Sequence, residues 1–136
     1  MKQLSVFLEN REGRLQDVLA VLAEADINII SLSLAETSDY GMLRLLVSDP
    51  QRGKTVLREK GISCTLTDIV AVKLEHQVGT LKKPVALLFK EGINVEYMYA
   101  LSTGTNDAAI AIKPSDFEKA VAVLTDAGVQ FFQEQT

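Results

Sequence analysis

The stretch ENREGRLQDVLAVLAEADINI, from Glu9 to Ile29, returns from Glu75 as EHQVGTLKKPVALLFKEGINV. Gly13 is answered by Gly79, Leu15 by Leu81 and Asn28 by Asn94, each 66 positions later. One residue is gained before the last helical pattern, so the final pairs, such as Gly61 and Gly128, stand 67 apart. A chain of 136 residues built from one unit used twice has no room for a single large core. It divides into two units, residues 1–69 and 70–136. Each is small enough to bury little surface alone, so the two are expected to pack and share stability. No Gly-, Pro- or Ser-rich linker parts them, so a rigid junction is expected rather than a tether.

Each unit reads strand, helix, strand, strand, helix, strand. In the first, QLSVFLE (Gln3–Glu9) is apolar with β-branched and aromatic residues, and the turn-like NREG follows. Leu15, Val18, Leu19 and Leu22 then recur at helical spacing, giving one face to pack on a sheet. INIISLSLAET and MLRLLVS are strands joined by the turn residues SDYG. DPQRGKTVLREKG is a short helix with Pro50 in its first turn and Gly61 as terminator. ISCTLTDIVAVKLE supplies the fourth strand and runs on into the first strand of the second unit. There the order repeats with AVKLEH, LKKPVALLFKEG, INVEYMYALS, DAAIAIK, PSDFEKAVAVLTDAG and VQFFQ. Pro114 is expected to lead the last helix, Ser115 to cap it and Gly128 to end it. The βαββαβ order makes an α+β protein of two ferredoxin-like units, each an antiparallel sheet with both helices on one face.

The hydrophobic fraction is 47% with 24% charged, enough apolar residue for a real core. A net charge of -4 without a Lys/Arg cluster argues against nucleic acid or an anionic membrane as partner. The start MKQLSVFLEN meets an acidic residue too early for a signal peptide, and the single Cys64 excludes an internal disulfide. A cytoplasmic location is expected.

The segment ENREGRL carries the first strand into the first helix. Amide groups at a helix start lack intrahelical partners and the dipole adds partial positive charge, which suits a small carboxylate. Gly13 lets a ligand approach the backbone closely, and Asn10 can both donate and accept hydrogen bonds. The plainer alternative is that Asn10 and Gly13 only make the strand-to-helix turn.

LENREGRLQDVLAVLAEADINI resembles the ACT domain, a small βαββαβ ligand-sensing module of amino-acid metabolism. The shared pattern is Asn or Asp, Gly and Leu opening the first helix, then Gly-Ile/Val-Asn-Ile entering the second strand. The likeness extends through the second half, and AETSDYGMLRLLVSDP and INVEYMYAL match the stand-alone tandem ACT proteins. That resemblance implies two ACT domains side by side, with their sheets joined into one eight-stranded antiparallel sheet and the helices on one face. It implies a free amino acid, or a similar small carboxylate, bound at the seam. One pocket would combine Asn10, Arg11, Glu12, Gly13, Arg14 and Leu15 with Asn94, Val95 and Glu96. A second, weaker one would combine His76, Gln77, Val78, Gly79, Thr80 and Leu81 with Asn28, Ile29 and Ile30. The pockets are unequal because His76 replaces Asn10 and Pro84 removes an amide near the second helix start.

On INVEYMYAL, strand alternation sends Tyr97 and Tyr99 to one face and Met98 to the other. The tyrosines would either line a ligand's side chain or pack on the neighbouring domain or the covering helices. Nothing sets up catalysis or a metal site: His76 is the only histidine, Cys64 sits in a strand pattern, and no phosphate-binding glycine loop is present. The resulting expectation is a non-catalytic regulator without cofactor, acting as a homodimer. Its partner would be an enzyme of amino-acid or organic-acid metabolism, with an acyl-CoA ligase as one candidate. The alternative is a ligand-free interaction module.

Overall fold

The computed structural model describes residues 1–9, 12–36, 39–75, 79–101 and 108–132. Contacts divide the chain into an N-terminal unit, Lys2–Thr67, and a C-terminal unit, Asp68–Gln135, with Met1 counted in the latter. In the first, the elements are β1 (Lys2–Glu9), α1 (Arg14–Glu24), β2 (Ile29–Glu36), β3 (Tyr40–Val47), α2 (Pro50–Glu59) and β4 (Cys64–Asp68). In the second they are β5 (Val70–Leu74), α3 (Lys82–Lys90), β6 (Val95–Leu101), β7 (Ala108–Pro114) and α4 (Phe117–Asp126).

The N-terminal sheet has the order β2-β3-β1-β4, and the C-terminal sheet the order β5-β7-β6. The expected single eight-stranded sheet is therefore corrected: among the described residues the strands form two separate sheets, of four and three strands. The counterpart of β4 is reduced to a bridge between Phe131 and Val72. Around it Lys73 N–H donates to Gln130 O at 2.9 Å and Phe132 N–H to Ala71 O at 2.8 Å. Residues 130–132 thus lie beside β5, where an outer strand belongs, and among the described residues they make this one bridge. The run ISCTLTDIVAVKLE is broken only at Ile69, between β4 and β5.

Alternation explains each core. Leu4, Val6 and Leu8 of β1 face Leu45, Leu43 and Gly41 of β3 and meet Val18, Leu22 and Leu57 from the helices. Val70 and Val72 face Ile112 and Ile110 and pack in the same cluster as Leu88, Ala120 and Leu124. These shared clusters place both helices of each unit on the same face of their sheet.

The duplication extends to backbone detail. Asn28 N–H donates to Ser48 Oγ at 2.9 Å, and Asn94 N–H to Ser115 Oγ at 2.9 Å. Asp49 accepts from Arg52 N–H at 3.1 Å, and Asp116 from Lys119 N–H at 3.1 Å. Asp116, not Ser115, therefore caps the last helix, because Pro114 closes β7 and Ser115 is held in the clip to Asn94. Asp26, with φ 59°, occupies the left-handed position that Gly92, φ 72°, holds in the second unit.

Candidate functional site

Among the site residues expected from sequence, Asn10 and Arg11 lie outside the described residues, as do His76, Gln77 and Val78. Glu12 and Gly13 are exposed at the turn that opens α1. Gly13 is the N-cap, with φ 82°, and a Cβ there would meet nothing within 4 Å. Asp17 N–H donates to Gly13 O at 3.0 Å, so the first α-helical bond closes on the glycine. The amides of the next residues are those a helix leaves without an intrahelical acceptor. Arg14 turns along the helix to Asp17, 3.7 Å away, while Leu15 is partly exposed.

The second copy of this turn is built differently. Gly79 keeps the left-handed conformation at φ 85°, but α3 begins at Lys82, two positions later than the repeat predicts from Arg14. Thr80 Oγ donates to Glu75 O at 3.0 Å, and Lys82 N–H is taken by Gly79 O at 3.1 Å. Pro84 stands in the first turn, where its missing amide costs no helical bond but removes a donor from the helix start. Of the first amides of α3, that of Lys82 is thus taken and Pro84 has none.

The strand starts are occupied with structural work. Asn28 and Asn94 are clipped to Ser48 and Ser115 in both directions, the serine amides donating to the asparagine carbonyls at 2.9 and 2.8 Å. Ile29 and Val95 are partly buried and pack against the cores of their own units. The register shifts at Ile29/Ser31 and at Val95/Tyr97, so Ile30 and Glu96 sit at bulges. Glu96 is exposed and pairs with Lys113 at 3.4 Å.

The structure does not bring the loop and the strand start of one unit together. Glu9 pairs with Tyr40 at the end of the sheet where α1 begins, whereas Ile29 pairs with Val47 at the other end. A strand of this length separates them by roughly 20 Å at ~3.3 Å per residue.

Tyr97 and Tyr99 pair with Lys113 and Ala111, on the face away from α3 and α4, while Met98 pairs with the core residue Ile112. The alternation read from the sequence is correct, and packing of the tyrosines beneath their own helices is ruled out.

Sequence reasoning missed a groove of about 650 Å³ inside the C-terminal unit. It is bounded by the end of β5, the turn before α3 and the segment Gly128–Gln130, with Leu74, Pro84 and Val129 as apolar wall and Glu75 and Lys83 as charges. Its signal was the Lys-Lys-Pro that delays α3. Cys64 is buried, its thiol donating to Lys54 O at 3.7 Å and its pKa raised by burial against the lowering influence of Arg58 and Lys54. Among the described residues no cluster of His, Cys, Asp and Glu is suited to a metal ion.

A family model described as an ACT domain pair matches residues 1–136. The crystal structure of protein BT0572 from Bacteroides thetaiotaomicron is 39% identical, with a TM-score of 0.89 over 96% of this chain and 90% of that one. The regulatory subunit of aspartate kinase from Thermus thermophilus, in ligand-free form, is 17% identical with a TM-score of 0.63, over 93% and 91%. The alpha and beta subunits of an aspartokinase are 21% identical with a TM-score of 0.57, also over 93% and 91%. At those identities the likeness to the kinases shows the fold. No curated protein sequence matches the chain.

Proposed function

The chain belongs to the ACT family, as a pair of ACT domains, and from that premise we propose that it senses a free amino acid or similar small carboxylate and controls a separate enzyme. ACT domains are non-catalytic regulatory modules that generally bind small ligands. In the proposed arrangement the turn of one unit, Asn10 to Leu15, and the strand start of the other, Asn94 to Glu96, hold one ligand. The amides beyond Gly13 take its carboxylate, and the Glu96–Lys113 pair meets its charged groups. The observation that carries this reading is that turn and strand start lie at opposite ends of each unit, so neither unit completes a site from its own parts.

A ligand shared by two units stabilises the arrangement in which both ends meet, and shifts the population by its differential affinity for that state. The controlled enzyme belongs to amino-acid or organic-acid metabolism, with an acyl-CoA ligase as one enzyme to assay, and the working form is a homodimer. The test is thermal unfolding against each free amino acid at millimolar concentration. A rise in melting temperature that Asn10→Ala or Gly13→Val removes supports the proposal. No rise with any amino acid sinks it and leaves the pair as an interaction module.

A further inference from the structure

At the end of β5 the second copy has smaller side chains than the first. The groove of about 650 Å³ there has Val72, Leu74, Pro84 and Val129 as its apolar wall. Val72 belongs to the buried cluster of the C-terminal unit, and Leu74 and Val129 pack against that cluster. In the first unit the positions of Leu74 and Val129 hold Leu8 and Ile62, which are only 6% and 3% exposed. Leu74 and Val129 are both partly exposed. Ile62 has lost a methylene at Val129, and the long Arg14 has become the short Thr80. The charge changes in step. Arg14 and Asp17 form an ion pair, 3.7 Å apart, at the start of α1. Thr80 and Lys83 replace them, and no described residue forms an ion pair with Lys83.

Helix stability does not account for Lys83. It lies exposed in the first turn of α3, where the dipole disfavours a cation. Alternation on β5 turns the Lys73 side chain away from the helices, which leaves Lys83 as the cation beside the apolar wall. An apolar wall with a few placed polar groups, in a space of this size, is the usual form of a small-molecule pocket. We propose that the groove binds an aliphatic monocarboxylate, its chain lying on Leu74, Pro84 and Val129 and its carboxylate on Lys83 Nζ. Glu75, also at the rim, disfavours a second carboxylate on the same ligand. An α-ammonium group would stand beside Lys83 itself, so a free amino acid fits less well. The groove is completed within the C-terminal unit. It is separate from the site proposed for Asn10–Leu15 with Asn94–Glu96, and neither proposal rests on the other.

Amide chemical shifts of the isotope-labelled full chain, titrated with butanoate, pentanoate and hexanoate, provide the test. Hexanoate should move the amides of Leu74, Thr80, Lys83, Val129 and Gln130. Affinity should rise about fourfold for each methylene added, the worth of one buried CH₂. Lys83→Gln should weaken hexanoate binding about fivefold, the upper end for an exposed ion pair, and Lys83→Arg should not. Thr80→Arg with Val129→Ile restores the residues of the first unit and should remove the shifts. Far-UV circular dichroism checks folding, and Val129→Ile alone replaces the double variant if that one is unfolded. Asn10→Ala should leave hexanoate affinity unchanged, which separates this groove from the amino-acid site. No shift at these amides with ~20 mM hexanoate, where a ligand of millimolar affinity is largely bound, overturns the proposal. So does an affinity that ignores chain length or Lys83→Gln, or norleucine binding as tightly as hexanoate.

Discussion

The duplication contains its own packing experiment at Gly53. This glycine is buried in α2, and a Cβ placed on it would come within 2.7 Å of Leu4 Cδ1. Carbon atoms prefer about 3.5–4.0 Å, so the leucine would have to withdraw by roughly 1 Å. In the second unit the corresponding positions hold Ala120 and Val70, both within its buried cluster. One methyl has been added on the helix and one methylene removed from the strand. Gly53→Ala alone should gain about 1 kcal/mol of helix propensity and lose about 2 kcal/mol to overpacking, a net loss near 1 kcal/mol. Leu4→Val alone should lose about 1 kcal/mol through the small cavity it leaves.

The double variant reproduces the pair of the second unit and should lie near wild type or above it, a coupling of about 2 kcal/mol. Urea unfolding followed by circular dichroism at 25 °C measures the four stabilities. Each kcal/mol corresponds to about 4–8 °C in melting temperature for a unit of this size, so a thermal scan gives a second readout. Effects that add to within ~0.5 kcal/mol would refute the reasoning, because they would show that Leu4 moves aside freely.

Other consequences follow from the same geometry. Asp26→Gly should stabilise the chain by about 1 kcal/mol by relieving a left-handed non-glycine, while Gly92→Ala at the matching site should destabilise it by about as much, both read from denaturant midpoints. Asp116→Ala should cost about 1 kcal/mol and fray the start of α4, whereas Ser115→Ala should cost a similar ~1 kcal/mol with amide exchange rising at Asn94 instead. The Cys64 thiol is held neutral by burial, with its pKa raised in the folded state. Its contribution to stability is complete below the unfolded thiol pKa of about 8.5 and is lost as pH rises through the folded value. Cys64→Ala should therefore flatten the alkaline fall in stability, and in wild type a thiol reagent at pH 8 should react at the rate of unfolding.

Much of the fold was legible because its signals are local. Gly13, Gly79, Gly61 and Gly128 mark backbone positions with φ between 75° and 85°, and their spacing fixes the repeat before any strand is paired. The alternation of Leu4, Val6 and Leu8 chose the buried face of β1 for the same reason. What the sequence left open depends on competition between neighbours. In Pro-Ser-Asp two good capping residues follow one another, and only the clip from Asn94 to Ser115 assigns the cap to Asp116. Among the described residues the counterpart of β4 is a single bridge at Phe131, because pairing with β5 is decided by partners far along the chain and not by apolar character alone.

The local backbone around the candidate site was legible only in part. The turn with Gly13 opens α1 as the pattern implied, and Ile29 and Val95, each followed by a bulge, pack partly against their own cores. The groove beside Pro84 was signalled only indirectly, by the Lys-Lys-Pro that sets where α3 starts.

The central claim is that two units complete one amino-acid site between them. Isothermal titration calorimetry of the full chain against the free amino acids tests it most directly, with Asn10→Ala and Glu96→Ala titrated alongside. The account predicts heat from one or a few amino acids, and a loss of affinity in both variants although the residues lie in different units. At ligand concentrations of 100 times the dissociation constant, the same binding should add about 2.7 kcal/mol to folding stability. Binding that survives both substitutions, or no binding by any amino acid, would contradict it.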